Sequence, residues 1–347
     1  MTVVPRTFTG LFAILFAHPL IGAVELQRGD AARAASYSET RRGSALLVIQ
    51  NGKTVFEHYA NGGAVDRDWP IFSGTKSFWG IAAMAAVHDR LLTLDEPVTR
   101  TITEWKKDPR KSQTTIRELL NATDGIEGAS RLQRASVRDR NAMAIDLPVV
   151  ASPGAVFTYG PSHLQVFGEV LRRKLDGRSV FGYLKKRVLA PLRLGDLEHK
   201  EDKRGNPLLA TGFRLTAREW ARFGEMILAG GSYHGRRIVP PYLLQQCFNG
   251  SSSNPAYGFT FWLNREAENP DAREADIENL LDLESSRADW SHVCFCRAAP
   301  PDMLAALGSG YQRLFIIPSM NALVVRQGLN AKFSDAKFLR LILGRED

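Results

Sequence analysis

The chain has 347 residues, of which 44% are hydrophobic and 24% charged, and its net charge is +8 at pH 7. This length and composition are typical of one large globular domain or two lobes, and they exclude a disordered or fibrous protein. The basic residues are spread along the chain without interleaved aromatic residues, which argues against a nucleic-acid groove. We attribute the positive charge to a solvated surface suited to an anionic cell envelope.

The first 23 residues differ from the rest of the chain. Arg6 is their only charged residue, residues 8–21 are mostly apolar, and small residues at 22 and 23 offer a cleavage site. This pattern predicts a signal peptide, and therefore a periplasmic or secreted protein without stable membrane insertion after processing. An uncleaved membrane anchor is the alternative, but the apolar run is short for a bilayer and is interrupted at Pro19.

A β-hairpin is the first predicted element of the mature chain. Residues 44–50 and 53–60 have strand-like patterns, and Asn51-Gly52 between them is a two-residue hairpin turn. The elements predicted after it are, in chain order, a buried helix (73–90), helices at 116–120, 162–175 and 217–229, strands at 312–317 and 323–326, and a helix at 334–343.

Strands therefore lie near both ends of the chain, with helices between them. The predicted fold is α/β, of the α+β type, with one antiparallel sheet built from both termini, flanked by helices, and a central helical lobe. We expect a single domain over residues 35–345. Its sheet lobe takes in residues 35–98 and 215–345, and its helical lobe residues 99–214.

Ser73 and Lys76 lie three residues apart at the start of the predicted buried helix. At this spacing the two side chains share one helix face, and the positive end of the helix favours negative charge on the Ser oxygen. Burial lowers the pKa of a lysine, which makes a neutral amine available to accept the Ser proton. This arrangement is typical of S-x-x-K serine acyl-transfer enzymes.

The spacing alone is weak evidence, because the chain contains it twice. Ser334 and Lys337 also fit S-x-x-K, and there the pattern predicts an ordinary helix N-cap. The alternative interpretation of the first motif is the same: Ser73 would be a helix N-cap and Lys76 a surface charge. A lysine in the first turn opposes the helix dipole, so this alternative explains Lys76 poorly.

Further segments make the catalytic interpretation more specific. They are Pro-Gly-Ala-Val-Phe-Thr-Tyr at 153–159 and Leu-Gly-Ser-Gly-Tyr-Gln at 307–312, with supporting matches at 116–126, 215–224 and 257–262. With these motifs in this order, the chain resembles the serine β-lactamase-related family over about residues 35–343. That family includes class C β-lactamases, D-alanyl-D-alanine peptidases and related esterases and oligomer amidases. The resemblance implies a β-lactamase/transpeptidase-like fold.

The resemblance also implies roles for individual residues. Ser73 would be the nucleophile, Lys76 its activating base, and Tyr159 a group that shares proton transfer with the lysine. The alternative for Tyr159 is a core aromatic residue with a satisfied hydroxyl. The backbone amides of Ser73 and Tyr311 would form the oxyanion hole.

The third motif is expected to bind substrate through Gly308, Ser309 and Gly310, since glycine lets a strand edge approach a ligand closely. Two positions depart from the family pattern. Pro161 stands where the Y-x-N element has Asn, and Gly308 stands where the third motif often has Lys or His. Without that cation we expect poor binding of carboxylate-bearing β-lactams and a preference for another acyl donor.

An acidic stretch at residues 265–289 precedes the third motif, with nine acidic and three basic residues. It is interpreted as a solvated helix and loop, or alternatively as a rim or lid of the site.

The three cysteines allow Cys247 to pair with Cys294 or Cys296 after export. No His lies at ligand spacing from Cys294 and Cys296, so neither a metal nor a cofactor is predicted.

The leading functional prediction is an exported serine hydrolase that cleaves a small-molecule ester, amide or peptide-like substrate through a Ser73 acyl-enzyme. A penicillin-recognising D-alanyl-D-alanine peptidase or weak β-lactamase is the alternative among enzymes. A catalytically silent binding protein on the same scaffold is the alternative of another class. The motifs leave the acyl donor, the leaving group and the oligomeric state open.

Overall fold

A computed structural model describes residues 24–195, 197–282, 288–329 and 331–345. The predicted signal peptide, residues 1–23, lies outside these ranges. Within them, none of the helices combines the length and the apolar character needed to cross a membrane. The helices of six or more residues are α1 (Arg28–Glu39), α2 (Thr75–His88), α4 (Arg140–Ile145), α5 (Ser162–Lys174), α7 (Ala217–Leu228), α8 (Pro241–Gln246), α9 (Ile277–Asp282) and α10 (Asp335–Ile342), and the shorter ones are α3 (Ile116–Leu120) and α6 (Val180–Leu184).

A six-stranded antiparallel sheet forms the centre of the molecule. The strands in chain order are β1 (Gly43–Gln50), β2 (Lys53–Tyr59), β3 (Trp69–Pro70), β4 (Arg214–Leu215), β5 (Ser232–Tyr233), β6 (Arg236–Arg237), β7 (Trp262–Leu263), β8 (Arg273–Glu274), β9 (Val293–Cys294), β10 (Leu304–Gly308), β11 (Gln312–Ile317) and β12 (Ala322–Gly328). The central sheet has the order β2-β1-β12-β11-β10-β7, so its strands come from residues 43–59 and 262–328. This confirms the predicted fold class, an antiparallel sheet built from both ends of the chain.

The first hairpin follows its predicted turn chemistry. Asn51 and Gly52 both have positive φ, at 53° and 71°, as a two-residue turn between twisted strands requires. The turn sets the register that pairs Gln50 with Lys53, and a bulge follows between Val48 and Ile49. The predicted strand bounds differ from the observed ones by one residue at one end of each strand.

Side chains of the central strands alternate between two buried layers. Leu314 and Ile316 point into the larger core, which contains α2 and α7, while Phe315 and Ile317 point into a second core against α1 and α10. Both faces of the sheet are therefore covered, which explains why β11 reads as a continuous run of buried residues.

Helix α2 is buried on all sides, since twelve of its fourteen residues are buried. A methyl group added at Gly80 would lie 2.2 Å from Thr260 Oγ1, so the helix is pressed directly against residues 259–260. Ser77 Oγ donates to the Thr260 carbonyl at 2.7 Å and fixes this contact. The prediction of a buried helix is confirmed, although a 3₁₀ turn over Phe72–Gly74 precedes its first residue.

The cysteine pairing expected from the sequence is wrong. Cys247, Cys294 and Cys296 are all free and buried. Cys247 belongs to the core around α2 and α7, whereas Cys296 belongs to the core on the opposite face of the sheet. In the part of the chain that the structure describes, no three His, Cys, Asp or Glu side chains are grouped as metal ligands.

Candidate active site

Ser73 lies in a strained turn at the N-terminal end of α2. Phe72 directly before it has φ +44°, a left-handed conformation that non-glycine residues adopt at a cost and that clusters at functional sites. A methyl group at Gly74 would lie 2.7 Å from the Trp220 ring, so only glycine fits after the serine. The backbone conformation at Phe72 and the contact of Gly74 with Trp220 thus hold Ser73 at the helix start while leaving it partly exposed.

Lys76 is buried beneath Ser73, with 3% of its surface exposed. Its Nζ lies 2.9 Å from Ser73 Oγ and donates a second hydrogen bond to the Ala210 carbonyl at 3.2 Å. Burial lowers the pKa of Lys76 to about 7, because no solvent stabilises the charged ammonium. A large share of the amine is therefore neutral at physiological pH, as a general base requires.

Tyr159 completes the group around Ser73. Its hydroxyl hydrogen-bonds with the Ser73 side chain, and Lys76 Nζ lies 4.6 Å from the centre of its ring. The ring packs against Tyr257 and Trp262 at centroid distances of 5.9 and 5.7 Å. Burial raises the pKa of Tyr159 to about 12, so the hydroxyl stays protonated at neutral pH. The structure thus brings together all three side chains that the sequence predicted to be catalytic.

The loop that carries Tyr159 is held against the segment that follows α3. The Thr158 amide donates to the Ala122 carbonyl at 2.9 Å. A methyl group at Gly160 would lie 2.1 Å from the Gly128 carbonyl oxygen, so the two backbones cross in direct contact. Gly160 is therefore required by packing, which places Tyr159 independently of the Asn that Pro161 replaces.

The third motif runs beside the Ser73 turn. A methyl group at Gly308 would lie 2.0 Å from the Ile71 carbonyl oxygen, which makes the end of β10 the strand edge beside the Ser73 turn. Residues 309–311 then form the tight turn into β11, with φ +73° at Gly310 and +58° at Tyr311. The predicted substrate-binding residues thus lie at the expected edge.

The amides of this turn are occupied by a carboxylate. Glu278, in the first turn of α9, accepts hydrogen bonds from the Tyr311 amide at 2.7 Å and the Gly310 amide at 3.2 Å. The oxyanion role of Tyr311 therefore stays a prediction, and in this conformation its amide is bound to Glu278. The motifs did not single out Glu278; its only signal was the acidic composition of residues 265–289.

Two buried arginines support the same turn from the face of the sheet that packs against α1 and α10. Arg313 and Arg326 are cross-strand partners, and neither has exposed surface. Arg326 Nη1 donates to the carbonyls of Gly310 and Tyr311, at 3.1 and 2.7 Å. Arg313 is paired with Asp335 through two hydrogen bonds of 2.8 and 3.1 Å. Both guanidinium groups are thus committed to structural contacts at this end of the sheet.

A buried histidine near the site was also missed from the sequence. His163, in the first turn of α5, has 2% of its surface exposed, and its Nδ1 is hydrogen-bonded to Asp124. Asp124 also accepts the Ile126 amide at 2.7 Å. The pair connects α5 to the loop after α3, and so fixes the helix that begins three residues after Tyr159. A lone histidine in a helical pattern gives no signal for such a contact.

A cleft of about 310 Å³ opens beside the Ser73 turn. Phe72 forms one wall, and 39% of its surface is exposed although it is a large apolar residue. The other lining residues include both polar and apolar side chains: Pro70, Glu198, His199, Lys200, Thr211, Gly212, Phe213 and Arg214. It adjoins the Ser73 turn through Pro70 and Phe72.

Comparison with known proteins agrees with this geometry. The profile of the beta-lactamase family matches residues 29–321. An uncharacterized protein of Alkalihalophilus pseudofirmus is 22% identical over 303 residues, which cover 82% of this chain and 83% of that protein.

Two solved structures share the fold. One is a candidate beta-lactamase from Bacteroides dorei, with a TM-score of 0.68 at 19% identity, covering 91% of this chain and 98% of the other. The second is a candidate 6-aminohexanoate-dimer hydrolase from Bacillus anthracis, with a TM-score of 0.66 at 19% identity, covering 89% of this chain and 79% of the other. From the family match over most of its length, the chain belongs to the beta-lactamase family and has its hydrolase fold.

Proposed function

We propose that the protein is a serine hydrolase that cleaves a small ester or amide through an acyl-enzyme on Ser73. One observation carries the proposal: Ser73 Oγ lies 2.9 Å from the Nζ of a buried lysine whose pKa is lowered to about 7, and it also hydrogen-bonds with Tyr159. A nucleophile within hydrogen-bond reach of a base, with a third group in contact, is the arrangement that covalent catalysis uses.

In the acylation step, Ser73 Oγ attacks the carbonyl carbon of the substrate and its proton passes to neutral Lys76. The tetrahedral intermediate collapses by breaking the bond to the leaving oxygen or nitrogen. The leaving group takes a proton from the Tyr159 hydroxyl, which regains one from the Lys76 ammonium. The products are the Ser73 ester and a neutral alcohol or amine, and Lys76 is neutral again.

Deacylation uses the same groups in reverse. A water molecule gives a proton to Lys76 as its oxygen attacks the acyl carbon, and the proton returns to Ser73 Oγ as the ester bond breaks. The burial of Lys76 supports both steps, because its pKa lies near the pH at which it must alternately accept and release a proton.

The third motif favours a neutral acyl donor. Gly308 has no side chain to meet a substrate carboxylate, and Arg313 and Arg326 are buried and already hydrogen-bonded. A charge-assisted hydrogen bond is roughly twice as strong as a neutral one, so its loss weakens binding of penicillins and cephalosporins. We therefore rank ester or amide hydrolysis above β-lactam hydrolysis.

The runner-up is a penicillin-recognising peptidase or weak β-lactamase, which shares the same Ser73 chemistry. A silent binding protein is ranked third, because Ser73, Lys76 and Tyr159 form a complete proton-transfer group.

Export to the periplasm or beyond is part of the proposal on the basis of residues 1–23, and an N-terminus near Val24 in protein isolated from its native host would support it.

Labelling with two active-site probes tests the proposal. A fluorophosphonate should label the wild-type protein and not the Ser73→Ala variant. A fluorescent penicillin applied in parallel should label the wild type weakly. Strong penicillin labelling would favour the peptidase, and no labelling by either probe would favour the silent binding protein.

A further inference from the structure

A carboxylate of α9 binds the backbone amides of the turn between β10 and β11. The Tyr311 amide donates to Glu278 Oε1 at 2.7 Å, and the Gly310 amide donates to Glu278 Oε2 at 3.2 Å. Arg313 Nη1 lies 3.0 Å from the same Oε1 and adds a charge-assisted contact. The Tyr311 amide, the oxyanion donor implied by the family resemblance, is therefore already bound in this conformation.

The oxyanion of an acyl-transfer reaction and the Glu278 carboxylate compete for this donor. An amide carries one proton, and its bond to Glu278 at 2.7 Å has the length of a strong hydrogen bond. Oxyanion stabilisation requires donors that already point at the oxygen of the intermediate. A carboxylate beside that oxygen would also repel its negative charge. The conformation with Glu278 on the Tyr311 amide is thus unsuited to forming a tetrahedral intermediate on Ser73.

Glu278 is also within electrostatic range of the side chains around Ser73. Burial raises the pKa of Tyr159 to about 12, and the negative charge of Glu278 adds to this shift. The Tyr159 hydroxyl is the group that hydrogen-bonds with the Ser73 side chain. The carboxylate therefore lies beside the proposed catalytic group.

Other contacts hold the turn in place without Glu278. Arg326 Nη1 donates to the carbonyls of Gly310 and Tyr311, at 3.1 and 2.7 Å. The Tyr311 hydroxyl donates to Asp276 at 2.7 Å. The Tyr311 amide therefore keeps its position when the Glu278 carboxylate leaves it.

The Glu278 side chain is free to leave the turn. Its exposed fraction is 21%, whereas that of Asp335, which binds the same guanidinium of Arg313, is 1%. Asp335 makes two hydrogen bonds to Arg313, so rotation of Glu278 into water leaves no unpaired buried charge. The backbone of α9 can stay in place during this rotation, anchored by the fully buried Ile277.

We propose that Glu278 is an autoinhibitory residue, whose carboxylate occupies the Tyr311 amide and must rotate away before the site at Ser73 can stabilise an oxyanion. The closed form is the one in this structure, and in the open form the Tyr311 amide is free. Only the open form reacts, so kcat/KM for every substrate is multiplied by the open fraction. The inference rests on the proposed hydrolysis through Ser73 and adds a control on the same site.

Removal of the carboxylate tests the inference through reaction rates. Glu278→Ala has only the open form, so kcat/KM for the p-nitrophenyl esters of acetate, butyrate and hexanoate should rise by one common factor. We expect a factor between roughly tenfold and 10²-fold, as for the loss of hydrogen bonds to a charged group. The rate constant for fluorophosphonate labelling of Ser73 should rise as well. Glu278→Gln is neutral but can still accept from the amides, so its values should lie between those of Glu278→Ala and the wild type.

A matched control separates the position of the carboxylate from its charge. Glu268→Ala removes an exposed carboxylate of the same acidic stretch, with the same change in net charge, and should keep the wild-type values. Melting curves verify that each variant is folded. Unchanged or lower values in folded Glu278→Ala overturn the inference. A factor that differs among the three esters also overturns it, because Glu278 would then act through contact with the acyl chain.

A measurement without turnover separates this result from failure of the proposed function. The chain has eight tyrosines, so ¹⁵N-tyrosine labelling gives few amide signals, and Tyr311→Phe identifies the one from Tyr311. Between Ser73→Ala and Ser73→Ala/Glu278→Ala, the Tyr311 amide proton should move upfield as it loses the carboxylate. An unchanged signal overturns the inference. A shifted signal without Ser73-dependent labelling in any variant supports the contact and counts against the proposed hydrolase instead.

Discussion

The two S-x-x-K segments of this chain share a spacing and differ in almost every physical respect. Lys76 is 3% exposed and its Nζ lies 2.9 Å from Ser73 Oγ, whereas Lys337 is exposed and its Nζ lies 5.8 Å from the Tyr37 ring. Ser334 is an ordinary N-cap whose Oγ accepts the Lys337 amide at 3.2 Å. The same three-residue spacing thus gives a cap on one helix and a serine hydrogen-bonded to a buried lysine on the other.

Burial decides between the two outcomes. Helix α2 runs through the core, so Lys76 loses its hydration and its amine can be neutral, while α10 lies at the surface and leaves Lys337 in water. The backbone at the two helix starts differs as well. Phe72 is held in the left-handed region, whereas Ser334 has the extended backbone of a typical N-cap. The comparison teaches that packing, and not the three-residue spacing, distinguishes the proposed catalytic pair from an ordinary helix cap.

The largest expected difference between the two segments is the loss of ester hydrolysis when each serine is replaced. Ser73→Ala should lower kcat/KM for p-nitrophenyl butyrate on the order of 10⁴–10⁶-fold, as for removal of a catalytic serine. Ser334→Ala, the matched change, should keep the wild-type turnover. Steady-state kinetics of both variants provide the check. Comparable activity in Ser73→Ala and the wild type would remove Ser73 from the mechanism.

Replacing the lysines should likewise reduce ester hydrolysis at Lys76 and not at Lys337, by a smaller factor than at the serines. Lys76→Met keeps much of the side-chain volume but removes the base, and should lower the turnover of p-nitrophenyl butyrate on the order of 10²–10⁴-fold. Lys337→Met should leave turnover unchanged, since that lysine is exposed. If the two variants retained equal activity, Lys76 would be a structural residue and another group would have to act as the base.

The first S-x-x-K segment also differs from the second in having the end of β10 packed against it. This contact can be tested at Gly308. In Gly308→Ala the new methyl group would lie 2.0 Å from the Ile71 carbonyl, so the strand must move away from the Ser73 turn. A shift of about 1 Å can lower turnover on the order of 10²-fold. Gly29→Ala is the control, because nothing lies within 4 Å of the added atom. Turnover that survives in Gly308→Ala would show that this edge does not position substrate.

The pH dependence reports directly on the buried lysine. In the proposed mechanism the active form has a neutral Lys76, so kcat/KM for a neutral ester should fall about tenfold per pH unit below an apparent pKa near 7 and reach a plateau above it. Tyr159 stays protonated across this range because its pKa is about 12. A limb near pH 4–5 would instead indicate a carboxylate base.

The smallest expected effect is on stability and concerns the second segment. Ser334→Ala removes an N-cap and should reduce the free energy of unfolding by about 1 kcal/mol, with no loss of ester hydrolysis. Denaturant unfolding of this variant beside the wild type measures the difference. An unchanged midpoint would mean that α10 does not depend on its cap.

Local features of the fold were predictable because their signals are local. The first hairpin, α2, α3 and β11 all depend on turn residues or periodicity within a few positions. Ser73 and Lys76 lie three residues apart, and Tyr159 was found through a motif that the family resemblance supplied. Contacts between distant segments were not predictable in this way.

Glu278 and His163 illustrate the limit of the sequence. Glu278 lies 33 residues from Tyr311 along the chain and His163 lies 39 from Asp124, so neither contact has a spacing that a pattern could reveal. The burial of Arg313 depends on the register of β11 against β12, which also decides which sheet face an arginine occupies. The error in cysteine pairing has the same origin, since the sheet separates Cys247 from Cys296.

One measurement tests the central claim most directly. Trypsin releases the two S-x-x-K segments as separate peptides, residues 68–76 and 333–337, so peptide mapping after fluorophosphonate treatment shows which serine has reacted. We predict a covalent adduct on Ser73 that forms more slowly below pH 7 and is greatly reduced in Lys76→Met, with Ser334 unmodified. Equal modification of both serines, or none at Ser73 in the folded protein, would contradict the account.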